Sequence, residues 1–187
     1  AMSQVFDEDG KVIPVTEIIA GPCLITRVQP SKVQIVFGKK RKINKAQQGQ
    51  FKSDIKPRWI KEFKVKEDDA KRFKIGETIK VDTFSKGDVV KISALSKGKG
   101  FQGVVKRHKF HCQSATHGNK DQLRAPGSIG STDAARVLKG KRMPGRMGGE
   151  RVTIKNIKII SVDPTKNTLL VKGAIPGARN NLLEICA

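Results

Sequence analysis

Acidic residues are scarce in this chain of 187 residues: 17 Asp and Glu stand against 38 Lys and Arg, a formal net charge of +21. A surplus that large exceeds what solubility asks of a small domain and points to a polyanionic partner. Long apolar runs are missing too. No stretch approaches the roughly 18 residues of a spanning helix, and the basic stretches have no amphipathic apolar face, so no membrane contact is expected. Cysteine is limited to Cys23, Cys112 and Cys186. An odd number at wide spacing argues against a disulfide framework and fits a reducing compartment. The opening stretch from Ala1 to Glu8 is polar and acidic, so no secretory leader is expected.

What is present divides in two. A hydrophobic content of 37% can supply one real core. Its material lies in short runs rich in β-branched residues: Val12 to Ile19, Cys23 to Val28 and Lys32 to Phe37, parted by turn formers at Gly21-Pro22 and Pro30-Ser31. In the third run, period-two alternation puts Val33, Ile35 and Phe37 on one face and Lys32, Gln34 and Val36 on the other. Order returns at Trp59 to Val65, at Thr78 to Phe84, and at Asp88 to Leu95, where Val90, Ile92 and Ala94 share a face. Val152 to Val162 and Thr168 to Lys172 flank Asp163-Pro164-Thr165-Lys166-Asn167, a hairpin with a five-residue loop. Lys66 to Lys74 reads as a loop or one helical turn. Short strands at this spacing, without long helices between them, favour a mainly β fold, an antiparallel barrel that is closed or partly closed.

The second part has the opposite character. From Lys97 to Arg151 there are 13 Lys or Arg residues, only three acids (Asp121, Asp133 and Glu150), and 10 of the 18 glycines. Such a segment cannot bury a core of its own. Glycines let it follow an irregular phosphate surface, and each cation displaces counterions from a phosphate that it meets, so folded RNA is the expected partner. Like charges should keep it open, with free amide exchange, until phosphates neutralise it. The tract Lys39-Lys40-Arg41-Lys42, at the start of a polar connection over 39–58, reads as a second basic surface.

Two smaller constellations have ordinary explanations. Gly98-Lys99-Gly100-Phe101-Gln102-Gly103 matches the dinucleotide-binding G-x-G-x-x-G pattern. The following Val104-Val105-Lys106-Arg107-His108 offers neither an amphipathic helix nor a βαβ unit, so these glycines read as points of close approach to phosphate, and no nucleotide cofactor is expected. His108, His111, Cys112 and His117 are zinc-ligand types, yet no second knuckle supplies the other pair. RNA stacking or hydrogen bonding is the better use for them, and no metal is expected. Scattered acids and the lack of a group to orient a His-Cys pair leave no positive case for an enzyme.

The order of strings along the basic segment is itself informative. Ser96-Lys97-Gly98-Lys99-Gly100-Phe101-Gln102-Gly103, Ala115-Thr116-His117-Gly118-Asn119, Pro126-Gly127-Ser128-Ile129-Gly130, Lys139-Gly140-Lys141-Arg142-Met143 and Gly145-Arg146-Met147-Gly148 follow one another. Glu150-Arg151-Val152-Thr153 and Leu169-Leu170-Val171-Lys172-Gly173-Ala174-Ile175-Pro176-Gly177 complete the series. Together they resemble the large-subunit ribosomal protein three family in its bacterial form, over nearly the whole chain.

That resemblance implies a β-barrel body over residues 1–96 and 152–187 on the large-subunit rRNA surface. It implies an extension over 97–151 directed towards the peptidyl transferase centre. Family members bind rRNA early in assembly and touch neighbouring large-subunit proteins without catalysing peptide transfer; a homo-oligomer is not expected. By carry-over, the extension contacts are Lys97, Lys99, Lys106, Arg107, His117, Arg124, Lys139, Lys141, Arg142 and Arg146, with Ser128 and Thr116 as donors to phosphate or ribose hydroxyl. The expected location is the ribosome of the cytoplasm, or of an organelle. The sequence departs from the family where it starts at Ala1-Met2-Ser3 without a preceding Gly-Lys-Lys stretch. It departs again at Ser131-Thr132-Asp133, where some bacterial relatives carry a methylated glutamine, so no such methylation is expected. The alternative from another class is a free-standing RNA-binding assembly factor that leaves the ribosome.

Overall fold

Runs of valine, isoleucine and threonine fit a pleated, half-buried surface, and the strands form where those residues gather. The computed structural model describes residues 1–51 and 55–186. In chain order the elements are β1 (Met2–Phe6), β2 (Val12–Ile19), β3 (Cys23–Gln29), β4 (Lys32–Lys39), α1 (Lys45–Gln50), β5 (Pro57–Lys64), α2 (Glu67–Ala70) and β6 (Thr78–Ile79). A 3-10 turn at Val81–Thr83 follows, then β7 (Val89–Leu95), β8 (Phe101–Gln102), α3 (Val104–His108), β9 (Gly145–Arg146), β10 (Arg151–Asp163), β11 (Thr168–Lys172) and β12 (Leu183–Cys186). The fold is mainly β.

The chain divides into two compact units. The first comprises Ala1–Ser93, Thr153–Ile175 and Leu182–Ala187; the second comprises Ala94–Val152 and Pro176–Asn181. A six-stranded sheet runs in the order β1-β2-β11-β10-β7-β12, and a four-stranded sheet in the order β5-β4-β3-β6. Strand β1, unremarked in the sequence, pairs antiparallel with β2 from Met2↔Thr16 to Phe6↔Val12. Its turn is closed by the Asp7 amide on the Lys11 carbonyl and the Gly10 amide on the Asp7 carbonyl, both 2.9 Å.

Apolar side chains of the larger sheet make the core: Ile18 from β2, Val90 and Ile92 from β7, Ile157 and Ile159 from β10, and Leu169 and Val171 from β11. Val81 joins them from the 3-10 turn. Each such side chain contributes about 1.5–3 kcal/mol by leaving water. The expected shared face of Val90, Ile92 and Ala94 is buried.

Neither large sheet closes on itself, which corrects the barrel expectation. The reason lies after Ile79, where a strand over Thr78 to Phe84 was expected. The chain instead leaves β6 after two residues for the 3-10 turn, in which the Thr83 hydroxyl donates to the Lys80 carbonyl at 3.0 Å and the Phe84 amide to Val81 at the same distance. The segment passing from the four-stranded to the six-stranded sheet is therefore a turn that buries Val81, and two open sheets result.

Strand β4 also departs from simple alternation. Val33 and Val36 are buried while Ile35 and Phe37 are half-buried. It lies inside its sheet between β5 and β3. Opposite it, β3 slips by one residue between Ile25 and Arg27, with the Thr26 hydroxyl donating to Gln34 Oε1 at 2.9 Å. A bulge and packing on both faces erase the period of two. At the β10–β11 hairpin Asp163 pairs with Thr168, so the connection is Pro164 to Asn167, one residue shorter than expected. Asp163 Oδ1 accepts from the Thr165 hydroxyl at 2.6 Å and the Thr165 amide at 3.2 Å.

Candidate nucleic-acid interface

The basic segment begins as a ribbon. The Ser96 amide donates to the Glu150 carbonyl and the Lys99 amide to Met147, both at 2.8 Å, and the Met147 amide returns to Gly100 at 3.0 Å. Strands β8 and β9 continue it, pairing Phe101 with Arg146 and Gln102 with Gly145. Gly148 has φ +75°, and a Cβ there would overlap the Lys97 carbonyl oxygen, so only glycine lets the two legs close this tightly.

Helix α3 follows Gly103 directly. The sequence reading had no helix there; the structure has one short turn of it, with Val104 buried and the Arg107 amide on the Gly103 carbonyl at 3.0 Å. Lys106 and Arg107 fall in its last turn beside His108, and their positive charges complement the carbonyls at that helix end. The preceding strand pairs antiparallel with β9, so the glycine pattern is not part of a βαβ unit.

From residue 109 to 144 there is neither helix nor strand. The backbone bonds within this stretch are mostly local turns: Ala125 to Gln122, Ala135 to Thr132 and Lys141 to Leu138. Gln113 to Leu123 reaches further. Side chains add Asn119 on the Thr116 carbonyl, Ser128 on the Gly130 carbonyl, and an Arg124 contact to the Cys112 sulfur at 3.9 Å.

On this frame Lys97, Lys99, Lys106, His117, Arg124, Ser128, Lys139, Lys141, Arg142 and Arg146 are all exposed. The ion pairs Lys11–Asp9, Lys61–Glu184, Lys71–Asp68 and Arg72–Asp69 use none of these residues. Arg107 differs. It is half-buried, and its guanidinium donates to the Met143 carbonyl at 2.6 Å. Lys109, Lys120 and Arg136, omitted from the sequence-based selection, are exposed on the same stretch and could have been found from charge alone.

In the first unit Lys39 ends β4, and the Lys40 amide bonds to the Lys56 carbonyl at 2.8 Å. Arg41 and Lys42 are exposed between β4 and α1. Residues 52–54 of the expected 39–58 connection lie outside the described residues. Arg58, not selected from sequence, lies over the Trp59 ring at 5.5 Å.

His108 is 3.1 Å from the Met143 carbonyl through Nε2, and its ring lies 6.0 Å from that of Phe110. Among the described residues no three His, Cys, Asp or Glu side chains gather as a metal site would need. The three cysteines are free thiols; burial pushes the Cys23 thiol up from its ordinary pKa. No helix among the described residues is long and apolar enough to cross a membrane.

Comparison with known proteins decides the family. The family model described as Ribosomal protein L3 matches residues 24–169. The chain is 44% identical over 194 residues to the large ribosomal subunit protein uL3 of Carboxydothermus hydrogenoformans, covering 98% of this chain and 91% of that one. It is 46% identical over 195 residues to the protein of the same name from Chloroherpeton thalassium, covering 98% and 93%. The chain belongs to the ribosomal protein L3 family. It is of the bacterial type, as its motif order implied. As an L3-family member it is a structural protein of the large ribosomal subunit and not an enzyme.

Proposed function

We propose that this chain binds large-subunit rRNA directly, joins the subunit early in its assembly, and sends residues 97–151 inward towards the peptidyl transferase centre. The observation that carries this reading is a row of exposed cations without carboxylate partners among the described residues, on a stretch without helix or strand over 109–144. A chain so charged and so little bonded to itself gains its shape by neutralising phosphates. Lys97, Lys99, Lys106, Lys139 and Lys141 act as point charges along the backbone. Arg124, Arg142 and Arg146 offer planar forks for phosphates or for stacking on unpaired bases. Ser128 and His117 supply further hydrogen bonds, and Lys39, Lys40, Arg41 and Lys42 form a second contact on the body. Neighbouring large-subunit proteins would pack on the remaining surface.

The test is binding of the purified chain to large-subunit rRNA fragments over a salt series, beside a variant with 97–151 replaced by a short Gly-Ser linker. Steep salt dependence in the full chain, shallower in the variant with residual binding by the body, is the expected result. Equal affinity and equal slope would remove the segment from the interface.

A further inference from the structure

We infer that Arg107 and His108 form a clamp on the Met143 carbonyl that closes the root of the loop in the free protein, and that Arg107 is a positioning residue, not a phosphate contact. Two donors converge on one acceptor: Arg107 Nη1 at 2.6 Å and His108 Nε2 at 3.1 Å. A carbonyl oxygen has two lone pairs and can take both, with the imidazole in the tautomer that carries its proton on Nε2. The Arg107 bond is short and charge-assisted, the stronger kind.

The glycine beside the clamp is shaped for it. A Cβ on Gly145 would stand 2.7 Å from Arg107 Nη1 and 3.3 Å from Cζ, so the missing side chain is where the guanidinium lies. Gly148 makes the matching allowance for the Lys97 carbonyl. The clamp joins residues 36 and 35 positions apart, beyond the end of the β8–β9 ribbon, where the remaining chain is mostly bonded over short range. Both legs are thus fixed before any ligand arrives, and only residues 109–142 remain to be ordered on RNA. Pre-closing the root removes part of the ordering cost from the binding step.

This deepens the rRNA-binding reading, yet its first readout needs no RNA. Amide exchange of the free full-length chain is compared among wild type, Arg107→Met, Gly145→Ala and Lys139→Met. The donors to watch are the Lys99, Arg107 and Met147 amides of the root, with the Ile159 amide, bonded to Asp88, as the control for an intact body. Arg107→Met and Gly145→Ala should each speed exchange at the root about tenfold or more, and Lys139→Met should leave it unchanged. If Arg107→Met disturbs the control amide, Gly145→Ala decides. The second readout is the salt slope of rRNA binding: Lys139→Met should lose close to one unit, whereas Arg107→Met should weaken binding with the wild-type slope. Unchanged root exchange in both clamp variants overturns the clamp. A slope loss in Arg107→Met equal to that of Lys139→Met overturns the positioning role. Absence of rRNA binding by the wild type would sink the functional reading while the exchange result still judged the clamp.

Discussion

Among the described residues between Leu95 and Val152 the only buried hydrophobic side chain is Val104, whereas Val15, Ile25, Val33, Ile92, Ile159, Leu169 and Val171 in the first unit are at most 1% exposed. Charge is distributed the other way. Residues 97–151 hold 13 of the 38 basic residues but three of the 17 acids. The first unit is shaped by removing apolar area from water, a force that needs no partner. The second is held at its root by backbone bonds and two glycines, and its distal part has little of its own to hold it. The same polypeptide thus carries a part built on an apolar core and a part that, on the proposed reading, takes its form on an anion.

Core truncation should separate the two most sharply. Ile92→Ala is expected to destabilise the free chain by about 2–5 kcal/mol in a denaturant titration. Ile129→Ala, at a side chain 42% exposed, should stay within about 0.5 kcal/mol. Equal losses at the two sites would break the comparison. A smaller effect follows from Gly148→Ala, which puts a Cβ into the Lys97 carbonyl at a positive φ and should cost about 1–3 kcal/mol locally, read as faster exchange of the Lys99 and Met147 amides. Gly98→Ala, with open space around it, is the matched control.

Smaller again is Lys139→Ala. It should flatten the salt dependence of rRNA binding by about 0.7–0.9 of a slope unit and leave unfolding within about 0.5 kcal/mol. The smallest effect concerns pH. The Thr165 hydroxyl, then the Lys166 and Thr165 amides, hold the Asp163 carboxyl below its ordinary range against the opposing effect of desolvation. Its contribution to stability is therefore present above the ordinary aspartate pKa and is lost as pH falls through the lowered one. Asp163→Ala should flatten the acid limb of the stability profile over that window, and an unchanged limb would show that the turn is not coupled to folding.

The strands of the first unit were legible because β-branched runs and turn formers mark their limits. Val12–Ile19 and Thr168–Lys172 form over the residues the pattern indicated. Three things were hidden. Sheet closure depends on whether Thr78 to Phe84 bends as a strand or breaks as a turn, and local pattern does not decide that. Strand β1, with Met2 and Phe6 exposed, has no buried face to announce it. In the basic segment, composition gave the charge and the glycines but not which cation turns inward. Arg107 is indistinguishable from Lys106 in sequence until Met143 and Gly145 are seen beside it. For the same reason the expectation of a uniformly open segment from 97 to 151 does not describe its root, where the legs are bonded.

Hydrogen exchange of the chain alone and in complex with a large-subunit rRNA fragment tests the central claim most directly. The account predicts slow exchange of the body and measurable protection of the ribbon in both states, with residues 109–142 near open-chain rates when free and slowed once bound. Slow exchange throughout 109–142 in the free chain would contradict it, because the segment would then hold its form without any anion.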